Sequence, residues 1–276
     1  MTLANHGSSA DYAYLRRVVL GRSQNVLDPS RDSLFETKLA PLMRNCGLRD
    51  VRELVEHMRR TPDEQLESAV ATAMTVNETS FFRDSRPFEL MRTELLPKLI
   101  AARRKTRTLR LWSAACSTGQ ETYSLAMLIR ENFHLLSGWK IHVEGSDISK
   151  SVLERARAGI YERIEVNRGL AARYLARYFE RVGERWEVKP EIRAMCRFRQ
   201  MNLCDIPMPF SQRFDVILMR NVMLYLGPAS RRAVMAEAHR LLASDGVLIM
   251  GATEQPADKE MWRAEIVAGA CFFRPK

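Results

Sequence analysis

The first 75 residues repeat apolar side chains every three or four positions, which is the spacing of one face of an α-helix. Four such stripes follow one another along this part of the chain. Asp50 precedes the third stripe and Thr61-Pro62 precedes the fourth, so we expect helix N-caps at Asp50 and Thr61. Pro41 lies inside the second stripe, where it should kink or shorten the helix. The pattern predicts an all-helical domain over residues 1–75.

From about residue 107 onwards, short apolar runs alternate with helical stripes. The runs predict strands at Leu109–Ser113, Lys140–Gly145, Phe198–Met201, Phe214–Met219, Gly246–Met250 and Ala268–Phe273. The stripes predict helices at Gln120–Phe133, Lys150–Ala158 and Pro228–Leu242. This alternation is typical of an α/β fold with a doubly wound, mostly parallel sheet. Ligands of such sheets bind beyond the carboxyl ends of the strands, so we looked for candidate chemistry there.

The composition excludes several classes of protein. Of the 276 residues, 46% are hydrophobic and 28% are charged, a balance that excludes a largely disordered chain or a fibre. No apolar run approaches the roughly 18 residues that span a bilayer, and Met1–Ala10 lacks the pattern of a signal peptide. The five cysteines include no C-x-x-C pair, which argues against a disulfide framework and against a zinc site. We therefore expect a cytoplasmic protein with reduced thiols, no metal ion and no stable membrane insertion.

The net charge of +10 indicates an anionic partner, and it is confined to part of the chain. Residues 1–75 contain ten basic and ten acidic side chains, whereas residues 83–110 and residues 150–200 each carry a surplus of six positive charges. This distribution of positive charge fits three kinds of partner: nucleic acid, an anionic lipid surface and an acidic protein. For any single charge, a solvated helix face is the simpler explanation.

The segment after the first predicted strand predicts a cofactor site. Residues 114–119 are mostly small and end in one glycine, so the dinucleotide fingerprint G-x-G-x-x-G is absent. Glu121 follows, and a carboxylate at this position would repel a pyrophosphate. Asp147 ends the second predicted strand, where it could bind the hydroxyl pair of a ribose or simply cap the next helix. The two acidic residues favour a nucleoside ligand without pyrophosphate, and S-adenosylmethionine satisfies this description.

Polar side chains also follow the later strands. Asn202 and Leu203 come directly after a strand candidate and could supply a polar and an apolar contact for adenine. The segment Arg220–Tyr225 brings an arginine, an asparagine amide and a tyrosine hydroxyl to the same edge of the sheet. A buried structural network would use the same residue types, so both interpretations stay open at this point.

Four segments together resemble the CheR-type chemotaxis receptor methyltransferases, and their order and spacing match as well. They are Asn77–Arg83, Leu111–Ser124, Gly145–Ile148 and Arg220–Tyr225. The resemblance implies a small N-terminal helical domain (1–75), a linker that covers the cofactor (76–106) and a class I S-adenosylmethionine-dependent methyltransferase domain (107–276). It also implies a small antiparallel β-subdomain inserted at 178–200. Its candidate strands are Tyr178–Val182, Arg185–Val188 and Cys196–Gln200.

The resemblance further implies a reaction and a partner. Members of this family transfer a methyl group from S-adenosylmethionine to glutamate side chains of membrane chemoreceptors, which yields glutamyl methyl esters and S-adenosylhomocysteine. Carried over by position, the cofactor-binding residues are Asn77, Thr79, Arg83, Glu121, Asp147, Asn202, Leu203, Asn221 and Val222. Arg83 and Tyr225 would lie nearest the methyl group and are the catalytic candidates. The implied partner is the helical, glutamate-rich cytoplasmic region of the receptors rather than nucleic acid, and we expect a monomeric enzyme.

The sequence departs from the family pattern in several places. Gln120 and Thr122 replace residues of the usual Gly-Glu-Glu-Pro-Tyr motif, while Glu121 keeps its position. The second predicted helix has only two basic residues, although this helix is usually strongly basic in the family. The turn at 182–185 is short, which argues against tethering by the C-terminal pentapeptide of a receptor. Two alternatives stay open, namely an RNA methyltransferase of the same fold and a non-catalytic module that senses S-adenosylmethionine.

Overall fold

The computed structural model describes residues 7–132, 136–267 and 269–276, and the predicted α/β fold is confirmed. The chain forms two compact units. The first contains Met1–Val76 and Tyr225–Ser230, and the second contains Asn77–Leu224 and Arg231–Lys276. The predicted ends of two elements, Phe133 and Ala268, lie outside the described residues.

The described part of the first unit is helical, as the apolar stripes indicate. Its helices are α1 (Ser9–Ser23), α2 (Ser33–Asn45), α3 (Val51–Arg60) and α4 (Glu64–Ala73), with a 3-10 turn at Pro29–Arg31. One stripe from each helix is buried in a common core. The buried members are Leu15, Val19, Phe35, Leu39, Met43, Val51, Leu54, Val55, Met58, Leu66, Val70 and Met74. Removal of these side chains from water explains why the segments are helical here.

The helix starts agree with prediction at one position and differ at another. Asp50 is the N-cap of α3, since its side chain accepts a backbone N–H of the first turn at 2.9 Å. The predicted cap at Thr61 is wrong, because α4 begins at Glu64. The carboxylate of Asp63 accepts the backbone N–H of Gln65 at 2.8 Å and provides the cap instead.

Pro41 does not shorten α2, so the shortening that the sequence analysis allowed is wrong. The helix continues through Pro41 to Asn45. A proline in a helix leaves the carbonyl four residues earlier without its intrahelical partner, and here that carbonyl belongs to Thr37. Pro41 and Thr37 both lie on the exposed side of the helix, where water can replace the missing hydrogen bond.

A seven-stranded sheet forms the centre of the second unit. In spatial order its strands are β6 (Cys196–Gln200), β2 (Lys140–Asp147), β1 (Thr108–Ala114), β7 (Phe214–Met219), β8 (Leu242–Met250), β10 (Ala270–Pro275) and β9 (Trp262–Val267). The first five strands run parallel, and β10 is antiparallel to both of its neighbours. The carboxyl ends of β1, β2 and β7 are adjacent, since Ala114 pairs with Ser146 on one side and with Met219 on the other.

The second unit also contains eight helices within the residues that the structure describes. They are α5 (Arg86–Leu90), α6 (Leu96–Ala102), α7 (Gln120–Asn132), α8 (Lys150–Ala158), α9 (Arg163–Asn167), α10 (Ala172–Tyr178), α11 (Pro190–Arg193) and α12 (Pro228–Leu241). A π-helical turn at Met91–Leu95 joins α5 to α6, and 3-10 turns occur at Met223–Tyr225 and Lys259–Met261. The predicted helix Lys150–Ala158 is confirmed. Every residue of β7 is buried, as expected for a central parallel strand.

A second, three-stranded antiparallel sheet has the order β3 (Ile160–Glu162), β5 (Arg185–Val188) and β4 (Phe179–Val182). The prediction that Cys196–Gln200 belongs to a small sheet inserted at 178–200 is wrong, because this segment is an edge strand of the main sheet and pairs with β2 in parallel. Gly145 of β2 makes this pairing possible, since a Cβ at Gly145 would lie 2.8 Å from the ring of Phe198. The remaining strand of the small sheet is Ile160–Glu162, which is too short to show an alternating pattern.

Candidate active site

Asp147, at the carboxyl end of β2, connects the loop after β1 to the start of α8. The backbone N–H groups of Ser117 and Ser149 donate to its Oδ2 and Oδ1, each at 2.9 Å. Burial raises the pKa of the Asp147 carboxyl, and the backbone N–H bonds oppose this rise. Ser149 is the N-cap of α8, since its Oγ accepts the backbone N–H of Val152. The predicted cap at Asp147 is therefore wrong, because Ser149 caps α8. The Asp147 carboxylate instead accepts main-chain N–H groups of Ser117, Ile148 and Ser149.

The loop between β1 and α7 has an unusual backbone. Ala115, Ser117 and Gly119 have φ angles of 57°, 51° and 92°, a region that alanine and serine rarely adopt. The backbone N–H of Cys116 donates to the carbonyl of Ser146 at 2.8 Å and holds the loop against the end of β2. Such backbone strain is typical of ligand-binding loops, where the surroundings fix the conformation.

Glu121 and Arg220 form a buried ion pair at the same edge of the sheet. Nη1 of Arg220 donates to Oε2 of Glu121 at 2.9 Å, and Oγ of Ser113 donates to Oε1 at 2.7 Å. The Glu121 side chain is 12% exposed and the Arg220 side chain is 2% exposed. Nη2 of Arg220 also donates to the carbonyl of Arg83 at 2.9 Å and to Oδ2 of Asp84 at 2.7 Å. Arg220 therefore joins the first turn of α7 to the segment that precedes α5.

The covering segment, defined as Asn77–Arg83, begins next to the loop after β1. Oγ of Ser117 donates to the carbonyl of Asn77 at 2.8 Å. Nη1 of Arg83 donates to the carbonyl of Glu78 at 3.1 Å, and the Glu78 carboxylate pairs with Arg168 from the connection between α9 and α10. The guanidinium of Arg83 is therefore directed towards the covering segment rather than towards Glu121.

The second half of the covering segment is fixed by its main chain. Phe82 has a φ of 48°, and its backbone N–H donates to Oγ of Ser124 at 2.9 Å. Gly169 approaches the carbonyl of Phe81 so closely that a Cβ at Gly169 would lie 2.1 Å from the oxygen. Thr79 is half-buried in the same segment. A bulky residue such as phenylalanine adopts a positive φ only where its neighbours impose it, so the segment has a defined path.

The loop after β6 also begins beside Asp147. The backbone N–H of Met201 donates to the carbonyl of Asp147 at 2.9 Å. Oδ1 of Asn202 accepts the backbone N–H of Cys204 at 3.1 Å, and Leu203 is buried. Asn202 and Leu203 directly follow Met201, whose main chain is bonded to that of Asp147, the predicted ribose-binding residue.

The turn after β7 contains the last predicted cofactor residues. Asn221 has a φ of 57°, and its backbone N–H donates to Oε2 of Glu254 at 2.6 Å. Val222 follows and is half-buried. Tyr225 is grouped with the first unit, where its carbonyl accepts the backbone N–H of Val26 at 2.9 Å.

Two residues therefore connect four of the predicted residues of the second unit. Ser117 contacts both Asn77 and Asp147, and Arg220 contacts Glu121 and the main chain of Arg83. The resemblance carried over neither Ser117 nor Arg220 as a site residue, although the sequence pattern already brought the arginine to this edge of the sheet. It also missed Glu254, which lies 33 residues after Asn221 in a stretch without a motif.

A comparison with known protein families accounts for this arrangement. The family model described as "CheR methyltransferase, SAM binding domain" matches residues 77–268. The chain belongs to the CheR methyltransferase family. The resemblance stated from the four segments is thereby confirmed, and S-adenosylmethionine is the cofactor of this CheR-family domain.

Curated relatives agree with this assignment to the CheR family. The chain is 38% identical over 252 residues to chemotaxis protein methyltransferase 1 of Pseudomonas aeruginosa, and the match covers 90% of both chains. It is 35% identical to chemotaxis protein methyltransferase Cher2 of Pseudomonas putida, over 86% of this chain and 88% of the relative. It is 31% identical to the chemotaxis protein methyltransferase of Escherichia coli K12, over 90% of this chain and 85% of the relative.

The residues at the sheet edge of this CheR-family protein fit S-adenosylmethionine. The buried carboxylate of Asp147 is suited to the ribose hydroxyls, and the Glu121 carboxylate is suited to the cationic part of the cofactor. Within residues 7–132, 136–267 and 269–276, no group of three or more His, Cys, Asp or Glu side chains could hold a metal ion. In the same ranges, no helix combines the length and hydrophobicity that crossing a bilayer requires.

We expect Asp147→Ala to weaken S-adenosylmethionine binding more than about tenfold, because it removes a charged hydrogen-bond acceptor and releases Ser117. Isothermal titration calorimetry measures the dissociation constant directly. Asp258→Ala is the matched control, since Asp258 is exposed and caps only the short turn at Lys259–Met261. An unchanged dissociation constant in Asp147→Ala would show that Asp147 is only a structural residue.

Proposed function

We propose that this protein methylates glutamate side chains of membrane chemoreceptors from the cytoplasm and thereby serves chemosensory adaptation. The products would be glutamyl methyl esters and S-adenosylhomocysteine. The observation that carries the proposal is the match of residues 77–268 to the CheR methyltransferase model. The names of the relatives, which are chemotaxis protein methyltransferases, support the same substrate.

The chemistry of a glutamate acceptor needs no general base. A glutamate side chain has a pKa near 4.3, so at pH 7 it is already an ionised nucleophile. When bound, S-adenosylmethionine supplies an electrophilic methyl group on a sulfonium sulfur. The acceptor oxygen forms a bond to the methyl carbon while the carbon–sulfur bond breaks, and the electron pair of that bond stays on sulfur. What the protein must provide is alignment, which can contribute roughly 7–11 kcal/mol to barrier lowering.

The site residues divide between holding the cofactor and orienting the acceptor. Asp147 would accept hydrogen bonds from the ribose, and Glu121 would attract the cationic amino-acid end. Arg83 would orient the acceptor carboxylate through charge-assisted hydrogen bonds, and Tyr225 would add a hydrogen bond. These contacts must be stronger in the transition state than in the ground state to accelerate the transfer.

The positive charge supports an acidic helical partner. The surplus of ten positive charges lies outside residues 1–75, which are balanced. Methylation regions of chemoreceptors are rich in glutamate, so complementary charge would steer the encounter. The methylation rate should then fall as ionic strength rises, because exposed charges are screened. A rate that does not change with salt would contradict this role for the charge.

The small sheet supports an enzyme that does not need a receptor tether. Val182 pairs with Arg185, so only Gly183 and Glu184 connect β4 to β5. This turn is as short as the sequence indicated. We propose that the enzyme acts as a monomer and methylates receptors that lack a C-terminal pentapeptide.

One labelling experiment tests the proposed function. The protein is incubated with S-adenosylmethionine labelled in the methyl group, together with receptor-containing membranes or with total RNA. Alkali-labile label on a membrane protein is the expected result, since glutamyl esters hydrolyse in base. Membranes whose receptors lack the pentapeptide should be labelled equally. Label on RNA would support an RNA methyltransferase, and no label on either would support a cofactor-sensing module.

A further inference from the structure

The carboxylate of Glu254 accepts main-chain N–H groups from two loops. Its Oε2 accepts from Asn221 at 2.6 Å and from Gly251 at 2.9 Å. Its Oε1 accepts from Met223 at 2.9 Å and from Leu224 at 3.4 Å. The two loops follow β7 and β8, which are neighbouring parallel strands of the main sheet. One side chain thus ties together the ends of two strands at the edge where the site lies.

The N–H groups of the first loop need such an acceptor. Asn221 has a φ of 57°, a conformation that asparagine tolerates but that a helix or strand cannot use. The turn therefore cannot satisfy its amides in a regular ladder, and a buried N–H left without an acceptor is destabilising. Because hydrogen bonds to a carboxylate are stronger than bonds to a neutral acceptor, Glu254 fixes the direction in which the turn leaves β7.

Gly251 is small because Glu254 approaches it. A Cβ at Gly251 would lie 2.6 Å from Oε2 of Glu254 and 3.0 Å from Nδ2 of Asn221. Gly251 is not among the residues with positive φ, so its backbone would accept an alanine without strain. The glycine therefore makes room for the carboxylate and for Asn221, whose backbone nitrogen would lie 3.1 Å from the Cβ. An alanine there would crowd both groups while keeping the charge of Glu254.

We propose that Glu254 is a positioning residue that sets the turn Asn221–Leu224 and, through it, the cofactor-binding residues Asn221 and Val222. This rests on the proposed function, in which that turn borders S-adenosylmethionine. The four hydrogen bonds of the Glu254 carboxylate described above all come from main-chain groups. Its effect on the cofactor is transmitted by the turn.

Two variants test this role in different ways. Glu254→Gln keeps the shape of the side chain but turns an NH2 group towards at least two backbone donors. Gly251→Ala keeps the carboxylate but fills the space into which it fits. We expect each variant to weaken S-adenosylmethionine binding at least tenfold, as measured by calorimetry. Glu260→Gln is the control, because Glu260 is an exposed glutamate six positions away, and it should not change the dissociation constant.

Hydrogen–deuterium exchange separates positioning from general destabilisation. In both variants, exchange in the peptide that contains residues 221–224 should become at least tenfold faster, while exchange in β7 should stay unchanged. An unchanged cofactor affinity in both variants would overturn the proposal. Equal acceleration throughout the second unit would also overturn it, since Glu254 would then be only structural. Neither measurement uses a methyl acceptor, so both remain decisive if the wild-type protein labels no receptor.

Discussion

Arg83→Ala should reduce the kcat for receptor methylation at least about 100-fold, which is typical of losing a charged group aimed at the reacting centre. The acceptor carboxylate would lose the cation that orients it for transfer. Binding of S-adenosylmethionine should stay within about threefold of the wild-type value, because Asp147 and Glu121 remain in place. Single-turnover methylation with labelled cofactor, together with calorimetry of cofactor binding, measures the two effects separately.

Two companion variants sharpen the Arg83 experiment. Arg83→Lys should recover only part of the rate, since an ammonium group cannot bind a carboxylate through two parallel hydrogen bonds. Arg86→Ala should leave the rate unchanged, because Arg86 is an exposed arginine three positions away on α5. Unchanged methylation in Arg83→Ala would refute its role, and a loss of cofactor affinity that accounts for the whole effect would assign Arg83 to binding alone.

Arg220→Met should lower the free energy of unfolding of the second unit by about 3–5 kcal/mol, the usual cost of removing one partner of a buried ion pair. The substitution leaves the largely buried carboxylate of Glu121 without its cation and removes the donor to the Arg83 carbonyl. Urea unfolding followed by tryptophan fluorescence reports on this unit, since all four tryptophans of the chain lie in it: Trp112, Trp139, Trp186 and Trp262.

The origin of this loss can be checked with a second substitution. Adding Glu121→Gln to Arg220→Met removes the uncompensated charge, so the double variant should be more stable than Arg220→Met alone. Lys98→Met is the matched control, because the pair between Lys98 on α6 and Glu94 in the preceding π-helical turn is exposed and should contribute less than about 1 kcal/mol. A double variant that is no more stable than Arg220→Met would show that packing, rather than charge, explains the effect.

The parts of the fold that the sequence predicted are those with strong burial patterns. The strand Phe214–Met219 is buried at every position, and its continuous apolar run showed this. The helix Lys150–Ala158 begins at the cap Ser149 and ends at Gly159 in a left-handed conformation, so both of its ends carried local signals. Asp147 was placed correctly at the carboxyl end of its strand, because the apolar run before it marked the strand.

The elements that the sequence did not predict lack such patterns. The strand Trp262–Val267 lies at the edge of the sheet. Its charged and apolar residues alternate, but burial does not follow that alternation, since Ile266 is 75% exposed. The strand Ile160–Glu162 has three residues and depends on its pairing with β5. Glu254 acts through main-chain groups. Almost any residue type can supply a main-chain N–H, so the sequence of the partner residues does not reveal such bonds. Long-range contacts of this kind become visible only when the chain is folded.

The close approach of Gly169 to the carbonyl of Phe81 has a consequence for how this protein can diverge. Gly169 lies in the stretch of chain between β3 and β4, and this stretch also supplies Arg168 to Glu78. The small sheet is therefore not structurally independent of the covering segment. A recombination event that exchanged residues 160–188 for those of a relative would also alter the path of the covering segment, unless the incoming segment preserved the glycine. If the small sheet contacts the receptor under the proposed function, changes in receptor preference and in cofactor affinity are thus expected to be inherited together.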